Sequence, residues 1–249
     1  MHFHSTDIQN WLVVARHLAA FRKAILSLKV HYDSAPFTSM LPCTVSPPAR
    51  QIFPYPTTFQ SLNGDIVEFK YQEQIDSNKL IFFRAIKGAK ERMCIKFVQR
   101  YSKEAHEYCQ LTGYALALQG FHKIPGGWFI VVMDALTDYT LLYQISLVHP
   151  PFKTSSVFDK LYKELEDFLT RFHSAGFVHS DIHDTNIMLS HDRKKVKLVD
   201  FNWAGKAGAD LRYPCNVNTI DVQRPDDVGS LAPILKCHDI KMLENIRFC

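Results

Sequence analysis

The residue types best suited to chemistry are concentrated between positions 179 and 202. This stretch contains the pattern His-x-Asp-x4-Asn, whose last two members are Asp181 and Asn186, and then Asp200 followed by Phe-Asn. Phosphoryl transfer requires such a set. One carboxylate must orient the attacking hydroxyl and accept its proton, while a second carboxylate and an amide oxygen hold magnesium against the nucleotide phosphates. Asn186 and Asp200 offer the hard oxygen ligands that Mg2+ prefers. Either aspartate alone would be an ordinary turn carboxylate, but the combination predicts a phosphoryl-transfer site.

Short apolar segments flank these polar residues and should position them. Residues 177–178 precede the first pattern, residues 187–189 follow it, and residues 196–199 lead into Asp200. These segments predict short strands whose ends and loops hold side chains at the mouth of a cleft. Residues 155–175 predict the strongest helix of the chain, with an apolar stripe, Ser156 as its N-cap and Gly176 at its end.

The first half of the chain predicts a small sheet that carries one helix. Segments 66–71, 80–86 and 92–98 are rich in β-branched and aromatic residues, a helix is expected from Ser102 to about Leu111, and a further strand follows at 128–133. Residues 7–33 have the apolar spacing of an amphipathic helix that packs on another element. Residues 36–56 hold six of the twelve prolines and predict a linker or extended arm that ends near residue 57.

The segment around Asp181 and Asp200 resembles the catalytic loop and metal-binding motif of the protein-kinase-like superfamily. Upstream, residues 94–97 are similar to the strand that carries a phosphate-contacting lysine. Residues 102–107 are similar to the start of helix αC, and residues 129–136 to the strand that runs into the adenine-binding hinge. The resemblance implies an α+β, two-lobed kinase-like fold with a truncated C-lobe and an extra N-terminal helix.

The resemblance also implies a role for each matching residue. Lys96 would contact the α- and β-phosphates, with Glu104 as its partner on helix αC and Glu107 as the rival one turn on. Asp181 would be the catalytic base, Asn186 the second metal ligand and Asp200 the main Mg2+ ligand. Main-chain groups of Asp134 and Leu136 would bind adenine, with Met133 at the back of the pocket. Asp239 would anchor the catalytic loop from the following helix; the alternative for Asp239 is a simple helix N-cap.

Several positions depart from the superfamily pattern. The first two strands are connected by residues 74–79, which contain no glycine, although glycines let backbone amides approach phosphates closely. Asn202 stands where the motif after the metal ligand has a flexible glycine. His183 occupies a position where protein kinases usually have lysine, and in this it is similar to small-molecule kinases of the aminoglycoside and choline type. Segments 20–25, 200–205, 211–218 and 236–243 together resemble a kinase-like family abundant in mushroom-forming fungi.

Composition excludes several other classes of protein. The chain has 249 residues, 47% hydrophobic and 22% charged, which excludes a disordered chain. A formal charge of +4 gives no reason to expect nucleic acid as a partner, and the longest apolar runs are too short for a membrane span. None of the six cysteines lies in a C-x-x-C pair, so reduced thiols of a cytoplasmic or nuclear protein are expected.

These observations predict three regions: an N-terminal helix and arm (1–56), a kinase N-lobe (57–136) and a truncated C-lobe (137–249). The expected function is phosphotransfer from ATP, with Mg2+, to a hydroxyl of a protein Ser or Thr. A pseudokinase that holds a protein partner, and a small-molecule kinase, are the alternatives. Retention of Lys96, Asp181, Asn186 and Asp200 favours the enzyme, whereas the missing glycines favour the binding module.

Overall fold

A computed structural model describes residues 8–34, 56–75, 82–87, 91–135, 137–208 and 210–248. The chain divides into two compact units, residues 1–50 and 51–249. In the first unit the structure contains helix α1 (Ile8–Ser34), which confirms the helix predicted there. The predicted proline-rich arm lies outside the described residues except for Pro56. The boundaries predicted at 56/57 and 136/137 stay predictions. Among the described residues, no helix is long and apolar enough to cross a membrane.

The second unit contains helices and short strands in a fixed order. They are β1 (Thr58–Gln60), β2 (Ile66–Glu68), β3 (Lys70–Gln74), β4 (Phe82–Lys87), β5 (Glu91–Val98), α2 (Lys103–Leu111), β6 (Leu118–Ile124), β7 (Trp128–Asp134), β8 (Tyr139–Leu141), α3 (Leu142–Val148), α4 (Ser156–Ser174), β9 (Phe177–Val178), β10 (Ile187–Ser190), β11 (Val196–Leu198), β12 (Gly205–Lys206) and α5 (Lys236–Phe248). Two 3-10 turns, Pro150–Thr154 and Asp184–Asn186, complete the set.

A five-stranded antiparallel sheet forms the small lobe, in the order β3-β4-β5-β7-β6. Side chains alternate between the two faces of a strand. On β5, Ile95 and Phe97 therefore pack into one buried cluster, while Cys94 and Val98 pack into another on the opposite face. Lys96 lies on the face of Cys94 and Val98, and it is the one lysine in this apolar strand. The small sheet with one helix that the sequence predicted is present.

The predicted strand at 66–71 is divided in the structure. Residues 66–68 pair with β1 as a hairpin, and β3 then pairs with β4. Buried Phe69 separates the two strands, and its N–H donates to the carbonyl of Thr57. The hairpin lies close to Gly120, where an added Cβ would come within 2.5 Å of the Phe59 ring and 2.8 Å of the Gln60 carbonyl. Glycine at position 120 is thus required by the close approach of β1 to β6.

Helix α4 carries the core of the larger lobe. Its buried residues are Phe158, Leu161, Leu165, Phe168, Leu169 and Phe172, the apolar stripe predicted from the sequence. The N-cap is Ser155, whose Oγ accepts the N–H of Phe158, so the sequence-based choice of Ser156 was off by one residue. Gly176 follows the helix with φ of +88°, a conformation that favours glycine and ends the helix.

Two small sheets of the larger lobe fix the ends of the segment that carries the chemistry. Strands β11, β10 and β8 pair antiparallel in that order, and β12 pairs with β9. The loop at 179–186 leaves β9 and enters β10, while Asp200 follows β11. Both groups of polar residues are therefore held by strand ends, as the apolar flanks predicted.

Candidate active site

Lys96 and Asp200 form an ion pair across the two lobes. The Nζ atom of Lys96 on β5 lies 2.8 Å from Oδ1 of Asp200, and the side chains are 11% and 18% exposed. Asp200 has a φ of +68°, which is uncommon for a residue with a Cβ and is typical of constrained functional positions. A lysine and a carboxylate of different lobes are thus brought to one point, in the geometry expected for a phosphate site.

Glu104 does not join this ion pair. It is exposed on α2, and the described residues contain no ion pair between Glu104 and Lys96. The rival, Glu107, pairs instead with Lys103 at 3.5 Å on the surface of the same helix. The reason is the orientation of this nine-residue helix, whose buried face consists of Ala105, His106 and Cys109. The pairing of Glu104 with Lys96 that the resemblance implied is therefore absent.

His106 occupies the buried face of α2 instead and contacts Phe201, the residue after Asp200. Its ring stacks on Phe201, with centroids 4.7 Å apart and an interplanar angle of 8°. Its Nδ1 lies 2.5 Å from Oη of Tyr101, and its Nε2 lies 2.9 Å from the carbonyl of Leu116. A carbonyl can only accept, so Nε2 carries the proton and Nδ1 accepts the tyrosine hydroxyl. This arrangement fixes a neutral imidazole, in agreement with burial, which lowers the pKa of His106 to about 4.

Asp239 anchors the backbone of the loop at 179–186. The side chain is fully buried on α5, and its two oxygens accept the N–H groups of His179 at 2.8 Å and of Ser180 at 2.6 Å. Nε2 of His173 lies 2.9 Å from the same carboxylate. Ser180 has a φ of +73°, so the carboxylate holds a turn that is costly for a serine. The loop anchor predicted for Asp239 is observed.

Asp181 and Asn186 are joined by hydrogen bonds within the loop. Nδ2 of Asn186 donates to Oδ2 of Asp181 at 2.9 Å and to its main-chain carbonyl at 3.0 Å. Nε2 of His183 lies 3.0 Å from the same Nδ2 and 3.3 Å from Oδ1 of Asp181. Nδ1 of His183 lies 2.9 Å from the hydroxyl oxygen of Thr185. His183 thus orients the carboxylate from the position where the sequence departs from protein kinases.

Arg224 makes the shortest contact with Asp181. Its Nη2 donates to Oδ1 of Asp181 at 2.7 Å, and its guanidinium lies over the ring of Trp203 with Cζ 4.9 Å from the centroid. Burial raises the pKa of Asp181, but the hydrogen bond from His183 and the charge of Arg224 outweigh it and lower the pKa to about 2. Asp181 is therefore ionised at neutral pH and can only accept hydrogen bonds.

A cavity of about 910 Å3 is lined by some of the predicted site residues, while Glu104, Asp134 and Asp181 are not among its lining residues. Lys96, Met133, Asn186 and Asp200 line it, together with Cys94, Tyr101 and residues of β8 and β10. Asp134 lies at the end of β7, where its N–H donates to the carbonyl of Ala117 at 3.0 Å. Leu136 and most of the connection at 74–79 lie outside the described residues.

The residues on this cavity fit a magnesium–nucleotide site. Asn186 directs its NH2 group to Asp181, and its Oδ1 has no hydrogen bond among the described residues. Oδ1 of Asp200 is buried, and although Lys96 is near, it receives no aligned hydrogen bond there. The described residues contain no cluster of three or more His, Cys, Asp or Glu able to hold a metal alone. Magnesium would therefore need phosphate oxygens and water besides these two ligands, which is its usual mode with nucleotides.

Comparison by sequence finds no relative, because no protein-family model and no curated protein matches the chain. Comparison by structure does find similar proteins. The kinase PK-1 of Cydia pomonella granulovirus matches over 72% of this chain and 67% of that chain, with 14% identity and a TM-score of 0.54. Vaccinia related kinase 3 matches over 82% and 69%, with 17% identity and a TM-score of 0.57. The chain has a protein-kinase-like fold. At this identity the similarity establishes the fold alone.

The kinase-like fold confirms the predicted fold class, with mixed helices and antiparallel sheets. Within it, the site contains three residues that sequence reasoning did not select: Tyr101, His106 and Arg224. Tyr101 directly precedes the predicted αC segment and His106 lies within it, and no sequence pattern marks either residue. Arg224 lies 43 positions from Asp181 in the chain, and no local pattern marks it.

Proposed function

We propose that this kinase-like chain transfers the γ-phosphoryl group of ATP to a hydroxyl, with Mg2+, and that the acceptor is a Ser or Thr of a protein. The observation that carries the proposal is the pairing of four groups, of which Lys96, Asn186 and Asp200 line one cavity. Lys96 meets Asp200 at 2.8 Å, and Asn186, which lines the same cavity, donates to Asp181 at 2.9 Å.

Bound Mg-ATP would supply the transferable phosphoryl group and the divalent charge that the loose transition state of this reaction needs. Lys96 offers a fixed positive charge for the phosphates, and its burial strengthens that interaction relative to a solvated lysine. Asn186 and Asp200 would hold the metal through oxygen atoms. Asp181 accepts the hydrogen bond of the acceptor hydroxyl and thereby aims its oxygen. Main-chain groups of Asp134 and Leu136 would bind the adenine.

A second candidate function is a pseudokinase that binds a protein partner without turnover. The specific observation in its favour is the exposed position of Glu104, which leaves Lys96 paired with Asp200 alone among the described residues. A lysine that is not supported from helix αC would position phosphates less firmly. The absence of glycine between residues 74 and 79 points in the same direction.

Two finer expectations belong to the same proposal. Membership of the fungal kinase-like family rests on the segments that resemble it, and a cytoplasmic or nuclear location rests on reduced thiols. In the described residues, Cys94, Cys109, Cys215 and Cys237 form no disulfide bond.

Thermal unfolding with Mg-ATP tests the proposal. Saturation at 100 times the Kd should add about 2.7 kcal/mol, or roughly 5–11 °C in melting temperature for a unit of this size. Asp200→Asn should remove the Mg2+-dependent part of the shift, because the metal loses its anionic ligand. Transfer of labelled phosphate from ATP to a protein mixture is then measured. No shift in the wild type would contradict nucleotide binding, and a shift without transfer would favour the pseudokinase.

A further inference from the structure

Arg224 lies in a segment that α5 holds against the catalytic loop. Its Nε donates to the carbonyl of Asn218 at 2.7 Å, and Nδ2 of Asn245 on α5 donates to the carbonyl of Gln223 at 3.2 Å. Oδ1 of Asn218 accepts the N–H groups of residues 220 and 221 at 3.0 Å each, which closes the turn. The side chain of Arg224 is only 3% exposed. The guanidinium is therefore fixed on several sides, unlike that of a surface arginine.

We propose that Arg224 is a positioning residue for phosphoryl transfer: stacked on Trp203, it fixes the carboxylate of Asp181 so that one face remains for the acceptor hydroxyl. This inference rests on the proposed function. An ionised carboxylate has about four lone-pair sites. Arg224 uses one on Oδ1, which Nε2 of His183 also faces at 3.3 Å, and Asn186 uses one on Oδ2. A site on Oδ2 then remains.

Arg224 could either orient Asp181 or block the access of the acceptor hydroxyl to it, and its contacts favour the first role. A guanidinium that blocked the acceptor would have to leave for each turnover, and departure here would break the stacking on Trp203 and the bond to Asn218. It would also leave the largely buried charge of Asp181 without its cationic partner, which is costly. Strong basicity is not required of Asp181, because catalysis of this reaction is almost entirely positioning and electrostatic stabilisation.

Steady-state kinetics of Arg224→Ala, with and without millimolar methylguanidinium, test the role. Misplacement of a reacting group by about 1 Å can cost 100-fold in rate, so we expect kcat to fall by about 10- to 100-fold with the KM for ATP unchanged. Methylguanidinium should restore much of kcat by binding between Trp203 and Asp181. Arg224→Lys should keep more activity than Arg224→Ala, and it carries the test if the alanine variant does not fold.

Arg247→Ala is the matched control. Arg247 also pairs with a carboxylate, that of Asp159, and also lies over an aromatic ring, that of Tyr162, but its side chain is 43% exposed. Its replacement should leave kcat and the response to methylguanidinium unchanged. A second readout needs no activity: methylguanidinium should raise the melting temperature of Arg224→Ala, and not that of the double variant with Asp181→Asn.

Three results would overturn the inference. A higher kcat in Arg224→Ala would show that Arg224 obstructs the acceptor. An unchanged kcat, or a loss that neither lysine nor methylguanidinium relieves, would reduce Arg224 to a structural role. A melting response that persists in the double variant would mean that the guanidinium does not hold Asp181. If the wild type transfers no phosphate, the proposed function fails instead, and the melting response still decides whether Arg224 holds Asp181.

Discussion

Mild acid should destabilise the second unit of the chain through His106. This imidazole is 1% exposed and lies among Tyr101, Leu116 and Phe201. Burial lowers its pKa to about 4, although the hydrogen bond with Leu116 opposes the shift. In the unfolded chain a histidine has a pKa near 6.5. Protonation of His106 in the folded protein would make Nδ1 a donor toward Tyr101. It would also place a charged imidazole in a buried position against the ring of Phe201.

The sign follows from proton binding in the two states. Between about pH 6.5 and 4 the unfolded chain binds a proton at His106 that the folded chain does not, so stability falls as pH falls. Above about pH 6.5 neither state is protonated and the effect vanishes. The pKa of His106 is about 2.5 lower in the folded than in the unfolded chain. The free energy of unfolding should therefore be lower by about 3.4 kcal/mol well below pH 4, and by about 2 kcal/mol at pH 5, than it is at neutral pH. For a unit of this size, that loss corresponds to a fall of about 4–8 °C in melting temperature.

Thermal unfolding of the wild type and of His106→Gln at pH 7.5 and pH 5 measures this effect. Glutamine keeps a polar side chain for Tyr101 and Leu116 but does not titrate, so the variant should lose about 2 kcal/mol less than the wild type between the two pH values. His149→Gln is the control, because His149 is exposed, and it should behave as the wild type does. Equal pH dependence in the wild type and His106→Gln would refute the argument.

Three substitutions test other parts of the site. Asp181→Asn should lower the rate of phosphotransfer by about 100- to 10,000-fold while Mg-ATP still raises the melting temperature; equal rates would exclude a catalytic role. Asp239→Ala should cost about 3–5 kcal/mol in denaturant unfolding, because two buried loop N–H groups lose their acceptor; a loss under about 1 kcal/mol would mean that the loop is held elsewhere. Glu104→Gln should leave the Kd for Mg-ATP unchanged, and a tenfold weaker Kd would show that Glu104 reaches Lys96 when nucleotide binds.

The sequence predicted those features that depend on local pattern. The buried stripe of α4 follows from apolar residues at helical spacing, and the strands around Asp200 follow from short β-branched segments. The position of Asp200 beside Lys96 was also predictable, because the resemblance assigns both residues to one cleft. The errors at this level are small. The N-cap of α4 is Ser155, one residue before the predicted Ser156, and the predicted strand at 66–71 is divided at Phe69.

Features that depend on side-chain orientation or long-range contact were not predictable. Whether Glu104 or His106 faces the core depends on how a short helix is rotated about its axis, and both lie in the same turn of α2. Likewise, Arg224 reaches Asp181 only because the chain after β12 returns to α5. Local sequence carries no signal for such a contact, whereas the charge of a buried Asp181 required some cationic partner.

Helices α5 and α2 contact different residues of the site, so a movement of either helix should affect different residues. Helix α5 holds the loop at 179–186 in two ways. Asp239 binds the backbone of the loop, and the segment of Arg224, which Asn245 of α5 contacts, binds the side chain of Asp181. The small-lobe helix α2, by contrast, contacts the site through the stacking of His106 on Phe201 and not through a carboxylate on Lys96. A shift of α2 would therefore change the position of Asp200 through Phe201, while Asp181 would keep its orientation. Substitution of His106 should thus weaken the binding of Mg-ATP. Substitution of Arg224 should lower kcat and leave the binding of Mg-ATP unchanged.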